Sequence, residues 1–193
     1  MKAWQHFNTI TKHKLIVMRY CFEVGLFYQG LTHDLSKYSP CEFLVGCRYY
    51  QGDQSPNNAE RIAKGYSAAW LHHKGRNKHH YEYWIDYSLD KNKILAGAKM
   101  PTRYVVEMFM DRIAASKTYQ GGAYTDLSPL RYFESGKARE LLHPETAELL
   151  EKLLRMFAKR GKEYTFYYIR RYLMPLARRE EIKTFFGRLT DQS

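Results

Sequence analysis

Helical periodicity, with proline opening many runs and glycine closing them, limits the fold of this chain more than any other feature. Residues 3 to 28 read as one long helix ended by Gly30. "SPCEFLVGCRYYQG" opens with Ser39 in N-cap position and Pro40 at the first helical position, and "SPNNAERIAKGYSAAWLHH" repeats the device with Ser55 and Pro56. "GRNKHH" interrupts the pattern, and "YEYWIDYSL" reads as a brief resumption. "MPTRYVVEMFMDRIAASKTY" is the clearest buried helix, begun by Pro101 and closed by Gly121 and Gly122. After a turn-rich stretch to Pro129, "HPETAELLEKLLRMFAKRG" places Leu149, Leu150, Leu153, Leu154 and Phe157 on one face. One more helix follows, with a break expected near Pro175 and a short tail helix beyond it. No strand alternation, internal repeat or low-complexity tract is visible. The expectation is an all-α fold, with a working core over residues 1–125 and C-terminal helices over 126–193 packed on it as one domain.

At 193 residues the chain is long enough to bury a real core. Its net charge of +11 favours phosphorylated substrates, nucleic acid or anionic surfaces, although a solvated basic exterior explains the charge equally well. The three cysteines, Cys21, Cys41 and Cys47, form no CxxC, which argues against a disulfide framework or a cysteine zinc knuckle. "MKAWQHFNTITKHK" has no apolar signal core, and "LIVMRYCFEVGLFY" carries Arg19 and Glu23 and is too short to span a bilayer. A cytoplasmic protein without a membrane partner is expected.

The chemistry concentrates in the histidines. Seven of eight fall before residue 81: His6, His13, His33, His72, His73, His79 and His80. Imidazole suits iron, manganese, zinc, cobalt and nickel better than magnesium. Two carboxylates complete the pattern. Asp34 directly follows His33. Asp111 lies among apolar neighbours in "YVVEMFMDRIAASK", where an ionised carboxylate is costly unless a cation pairs with it. Arg112 points about 100° away from Asp111 on the helix, and Glu107, one turn earlier on the same face, adds negative charge. A metal resolves the conflict; a salt bridge to a distant Lys or Arg is the plainer account. In "HHKGRNKHH", His72 pairs with His79 and His73 with His80 at a spacing of seven. A continuous helix would put each pair on one face, and a tight loop would fold both pairs toward one centre. At most one member of each adjacent pair, His72-His73 and His79-His80, is expected to be a ligand, with His73 and His80 preferred and His72, His79 and Glu107 as alternatives or orienting groups. His6, one heptad before His13, is read as a partly buried polar residue, and His143 as structural near a helix N-terminus.

"HDLSK", residues 33 to 37, resembles the signature of HD-domain proteins, helical metal-dependent phosphohydrolases whose pattern is an early lone His, the His-Asp doublet and a distant Asp. Two-metal members place further histidines between doublet and Asp. The order His13, His33-Asp34, the two His pairs and Asp111 is similar to that set over residues 6 to 117. Many relatives spread the middle histidines over separate helices, unlike the seven-residue step here. The chain also resembles an uncharacterised family of small bacterial and phage proteins that share "HDLSKYSP" and "HHKGRNKHHYEYW".

The resemblance implies an HD-domain-like helical bundle holding one or two divalent transition metals (Fe, Mn, Zn, Co or Ni). Asp34 would bridge two ions, His13, His33 and Asp111 would hold one, and His73 and His80 the other. A water activated there would attack a phosphomonoester or phosphodiester of a nucleotide or other small phosphorylated molecule. Asp34 and Lys37 are the expected catalytic residues, and Lys37, Lys74, Arg76 and Arg112, with Lys78 as a further candidate, the expected phosphate contacts. Two other readings remain open at this stage. One is a di-iron oxygenase on an HD-like scaffold. The other is a non-enzymatic, basic nucleic-acid-binding protein, with "RYYQG" and "FYYIRRY" as its interleaved aromatics.

Overall fold

The computed structural model describes residues 1–190, with side chains as far as Phe186. The all-α expectation holds, with one small hairpin added. Helix α1 (Lys2–Val24) buries His6, Ile10, His13, Val17, Tyr20, Cys21 and Val24. These recur mostly at spacings of three and four, so His6 and His13 lie on the same inward stripe as the aliphatic residues.

The first helix is shorter than its sequence suggested. Gly25 takes the left-handed conformation (φ 88°) and its N–H caps α1 by bonding back to the last turn. Helix α2 (Phe27–Thr32) then doubles back against α1. Gly30 terminates nothing: it lies where α2 crosses α1, and a Cβ there would stand 3.0 Å from the Phe22 ring. Helix α3 (Pro40–Tyr49) begins at its proline as expected, but Ser39 gives its hydroxyl to Ser36 O instead of capping α3. The next expected helix is split by Gly65 (φ 81°) into α4 (Pro56–Lys64) and α5 (Ala68–Lys74). Here Ser67 is a true cap, accepting from the Trp70 N–H at 3.0 Å.

"YEYWIDYSL" forms no α-helix. Tyr81–Trp84 make one 3₁₀ turn, and Ile85–Tyr87 (β1) pair antiparallel with Leu95–Gly97 (β2). Three-residue strands are too short to show alternation, which is why the hairpin escapes pattern reading. Helix α6 (Thr102–Gln120) follows and occupies the middle of the molecule, packing against α1, α7 (Ser128–Ser135), α9 (Pro144–Tyr168) and α10 (Met174–Thr190), with α8 (Ala138–Leu141) between α7 and α9. Its residues Val105, Val106, Phe109, Met110, Ile113 and Ala114 are almost fully buried. Phe109 meets Phe157 of α9 edge to face at 5.8 Å. One hydrophobic cluster runs from Val17 in α1 to Ala177 in α10.

Gly161 breaks α9 internally with φ 72°. No break occurs at Pro175. A π-helical turn, Ile169–Leu173, leads directly into α10, and Pro175 sits in the first turn of that helix. The wider turn is a local adjustment of the kind that lets a helix accommodate a missing N–H donor. In "FYYIRRY", Phe166 and Ile169 face the core while Tyr167, Arg170 and Arg171 are exposed, so the stretch is a packed helix with a basic outer face. Among the described residues, no helix is long and apolar enough to cross a membrane.

Candidate metal centre

Four elements converge on Asp34. α1 brings His13, the turn after α2 brings His33 and Asp34, the segment from α5 to the 3₁₀ turn brings His73, His79 and His80, and α6 brings Glu107 and Asp111. Asp34 adopts φ 54°, a left-handed conformation that is uncommon outside glycine but accessible to Asp. Lys14 fixes the preceding turn by donating to Leu31 O (2.7 Å) and His33 O (2.8 Å). The strained residue is therefore held from outside, and its carboxylate is buried.

The two oxygens of Asp34 face two separate groups of nitrogens. Oδ2 lies 3.4 Å from His33 Nε2 and 3.8 Å from His13 Nε2. His13 Nε2 is also 2.9 Å from Asp111 Oδ1. On the other side, Oδ1 lies 3.2 Å from His73 Nε2 and 3.4 Å from His79 Nε2. His80 Nε2 approaches His73 Nε2 to 2.9 Å. The ligand atoms of His13, His33, Asp34 and Asp111 all lie within 4.8 Å of one another, as do those of Asp34, His73, His79 and His80.

The opposite nitrogens of His33, His73 and His79 are engaged by carboxylates. Glu107 Oε1 is 3.0 Å from His33 Nδ1 and 3.1 Å from His79 Nδ1. Glu42 Oε2 is 2.8 Å from His73 Nδ1. A carboxylate that accepts the Nδ1–H leaves Nε2 with a lone pair, aimed at the centre. Asp34 Oδ1, Asp34 Oδ2 and His79 Nε2 are buried without a partner in hydrogen-bond geometry. Beside the Lys37 ammonium, 2.6 Å from Asp34 Oδ2, imidazole nitrogens and carboxylate oxygens crowd together here, and this donor set fits a divalent transition metal.

Charges in the cluster are strongly coupled. Burial works against the Asp34 carboxylate, but His33, Lys37 and His73 outweigh it and hold its pKa well below the usual range. Burial opposes the His79 cation, yet Glu107 and Asp34 push its pKa up to about 10. His80 is pushed the other way, well below its ordinary value, by burial and by the charges of His79 and His73. Lys37 and the raised imidazoles of His73 and His79 are the positive groups that face these carboxylates.

Each expected residue can now be placed. His13, His33, Asp34, His73, His80 and Asp111 come together. Of the first His pair only His73 joins, while His72 turns away to Glu42 Oε1 at 2.5 Å. Both members of the second adjacent pair, His79 and His80, enter the same group, where at most one ligand was expected. The cause is local: α5 stops at Lys74, Gly75 follows, and the turn through Asn77 sets the two rings 4.1 Å apart. Asn77 secures that turn by donating to His73 O and Ser36 Oγ, each at 2.8 Å. Lys37 reaches Asp34 Oδ2 at 2.6 Å across one 3₁₀ turn. Burial opposes its charge, but Asp34 outweighs that and raises its pKa.

The other expected phosphate contacts are not drawn into the cluster. Arg76 lies along the surface with Nη1 3.4 Å from His72 O. Lys78 sits over the Tyr83 ring, and Arg112 over the rings of Tyr132 and Phe133. Lys74 is half-buried outside the ligand groups. His6 is buried against Gly46 in α3, apart from the ligand groups, and His143 caps α9 by accepting from Glu145 N at 3.3 Å.

Glu42 is the residue that the sequence reading missed. Its only signal is a carboxylate inside the apolar run "CEFLVG", the same anomaly that marks Asp111. Glu60, fully buried, plays a supporting part: it accepts from Ser67 Oγ (2.7 Å), Lys64 Nζ (3.0 Å) and Ala69 N (3.3 Å), which pins the start of α5.

No curated protein and no solved structure matches the chain. The model described as "Family of unknown function (DUF5662)" matches residues 2–156, a stretch that contains every residue of the centre. The chain therefore belongs to that family.

Proposed function

We propose that the chain is a metal-dependent phosphohydrolase of HD-domain type, acting on a nucleotide or another small phosphorylated molecule. The observation that supports this reading best is the division of Asp34: one oxygen faces His33 and His13, the other faces His73 and His79. A carboxylate so placed suits a two-ion site. His13, His33 and Asp111 would complete one side, and His73, His79 and His80 the other.

Bound divalent ions would supply a water acidic enough to lose its proton near neutral pH and positive charge to offset that of a phosphoryl group. The chain's own residues do the rest. Glu42 and Glu107 fix the tautomers of His73, His33 and His79. Lys37 holds the outer edge of the Asp34 carboxylate with a part-exposed side chain, which suits it to donate to a phosphoryl oxygen that reaches the same place. The net charge of +11 favours approach of an anionic substrate.

The test is hydrolysis of a panel of nucleotides, phosphomonoesters and phosphodiesters by protein loaded with Mn²⁺, Co²⁺ or Fe²⁺. Ester hydrolysis, read as free phosphate from monoesters and as monoester plus alcohol from diesters, that disappears in Asp34→Ala and His73→Ala supports the reading. The imidazole-rich donor set also favours iron, and so keeps a di-iron oxygenase as the second reading. Substrate-dependent oxygen consumption without hydrolysis of any ester in the panel would replace the first reading with the second.

A further inference from the structure

Glu42 carries two oxygens and holds two different imidazoles with them. Oε2 takes His73, on the side of the centre. Oε1 takes His72 Nδ1 at 2.5 Å, and His72 directs its other nitrogen outward. There His72 Nε2 stands 3.2 Å from Sγ of Cys41, which Ser39 Oγ also approaches to 3.1 Å. Cys41 is exposed and lies in the first turn of α3, directly after Pro40. Carboxylate, imidazole and thiol are thus in line at hydrogen-bond distances, with the thiol facing solvent at the start of a ten-residue helix.

Each part has a chemical consequence. The imidazole can take the S–H proton as sulfur attacks, Glu42 fixes the ring so that Nε2 is the acceptor, and the helix start stabilises negative charge developing on sulfur. The proposed hydrolysis leaves this thiol unused. The other two cysteines lack its combination: Cys21 is buried and Cys47 half-buried.

We propose that Cys41 is a reactive thiol that undergoes exchange with small acidic disulfides of the glutathione class, forming a mixed disulfide at the rim of the metal centre. In the exchange, Cys41 sulfur bonds to one sulfur of the incoming disulfide as its S–H proton passes to His72. The incoming S–S bond breaks, and its other half leaves as a thiolate that recovers the proton from His72. One S–S bond is formed and one lost, so no further oxidant is required. The incoming disulfide is anionic and the chain strongly basic, which favours the encounter. This inference does not depend on the phosphohydrolase reading, since the thiol chemistry needs neither metal nor phosphoester.

The experiment measures the reaction of full-length protein with 5,5′-dithiobis(2-nitrobenzoate) and with oxidised glutathione, with peptide mass mapping to assign the modified cysteine. Cys41 is expected to react first, at least about tenfold faster in the folded chain than in the urea-unfolded chain at the same pH, and about tenfold slower in folded His72→Gln. The unfolded-chain comparison needs no variant, so it stands even where His72→Gln fails to fold. First modification at Cys47, or a folded rate no faster than the unfolded one, or an unchanged rate in folded His72→Gln, overturns the proposal.

Discussion

Oε2 of Glu42 lies 2.8 Å from Nδ1 of His73, and this contact decides which nitrogen of His73 faces Asp34. Replacing Glu42 with Gln keeps the shape but lets the amide present a donor to Nδ1. The expected outcome is a 10–100-fold loss of metal affinity, the range seen when an orienting carboxylate is removed, with the fold kept. Competitive chelator titration of wild type and Glu42→Gln measures it. Equal affinities would show that Glu42 does not set the ring.

A second expectation concerns pH. In the metal-free chain, burial opposes the His79 cation, but Glu107 and Asp34 raise its pKa to about 10. An unfolded His titrates near ~6.5. The folded state thus binds more protons between those values. The stabilisation is fully present below ~6.5 and is lost as pH rises through about 10, an effect on the order of a few kcal/mol. Urea midpoints of metal-free protein should fall across that window. Metal bound at Nε2 must also displace a proton, so adding metal to metal-free protein at neutral pH should acidify a weakly buffered solution. A flat midpoint together with no proton release contradicts this assignment.

Packing between α1 and α3 gives a third. Gly46 faces His6 so closely that a Cβ would stand 2.0 Å from His6 Nε2. Burial, with the charge of Lys37 adding to it, pulls the His6 pKa down to about 4, so the ring is neutral and packed at ordinary pH. Gly46→Ala should destabilise the chain by about 1–3 kcal/mol despite the helix propensity gained, and His6→Ala in the same chain should restore part of the loss. Thermal unfolding of the single and double variants tests the pair. A Gly46→Ala protein as stable as wild type would mean that the two helices do not meet at this distance.

The buried centre of α6 gives a fourth. Phe109 is fully enclosed and meets Phe157 edge to face. Phe109→Ala should cost about 3–5 kcal/mol, read from urea unfolding. Because Glu107 and Asp111 lie on the same helix, metal affinity should fall with it. A loss below ~1 kcal/mol would indicate a looser core than the structure shows.

Much of the centre was legible in the sequence because its anomalies are local. A His-Asp doublet between Gly30 and Pro40, and a carboxylate in an apolar helix at Asp111, are visible without coordinates. The rest depends on three-dimensional relations. Glu107 stood out as negative charge and as an orienting group without named partners, because His33 and His79 lie 74 and 28 residues away in sequence. Glu42 was unmarked because its role is defined by His72 and His73, thirty residues on. The joint use of His79 and His80 follows from the turn after Gly75, whose path no periodicity specifies. In the fold, the helices were readable from their apolar spacing. The breaks at Gly25 and Gly65 and the three-residue strands were not, since tertiary packing decides there whether a glycine sits inside a helix or ends it.

The most direct test of the central claim is the metal content of wild-type protein purified without added ions, set beside Asp34→Ala and His72→Gln. Circular dichroism would confirm that all three are folded. The account predicts up to two transition-metal ions per chain in wild type, retention in His72→Gln and loss in Asp34→Ala. Wild-type protein that stays metal-free and takes up no Fe²⁺, Mn²⁺, Co²⁺, Ni²⁺ or Zn²⁺ on reconstitution, or an Asp34→Ala chain that binds as much as wild type, would contradict it.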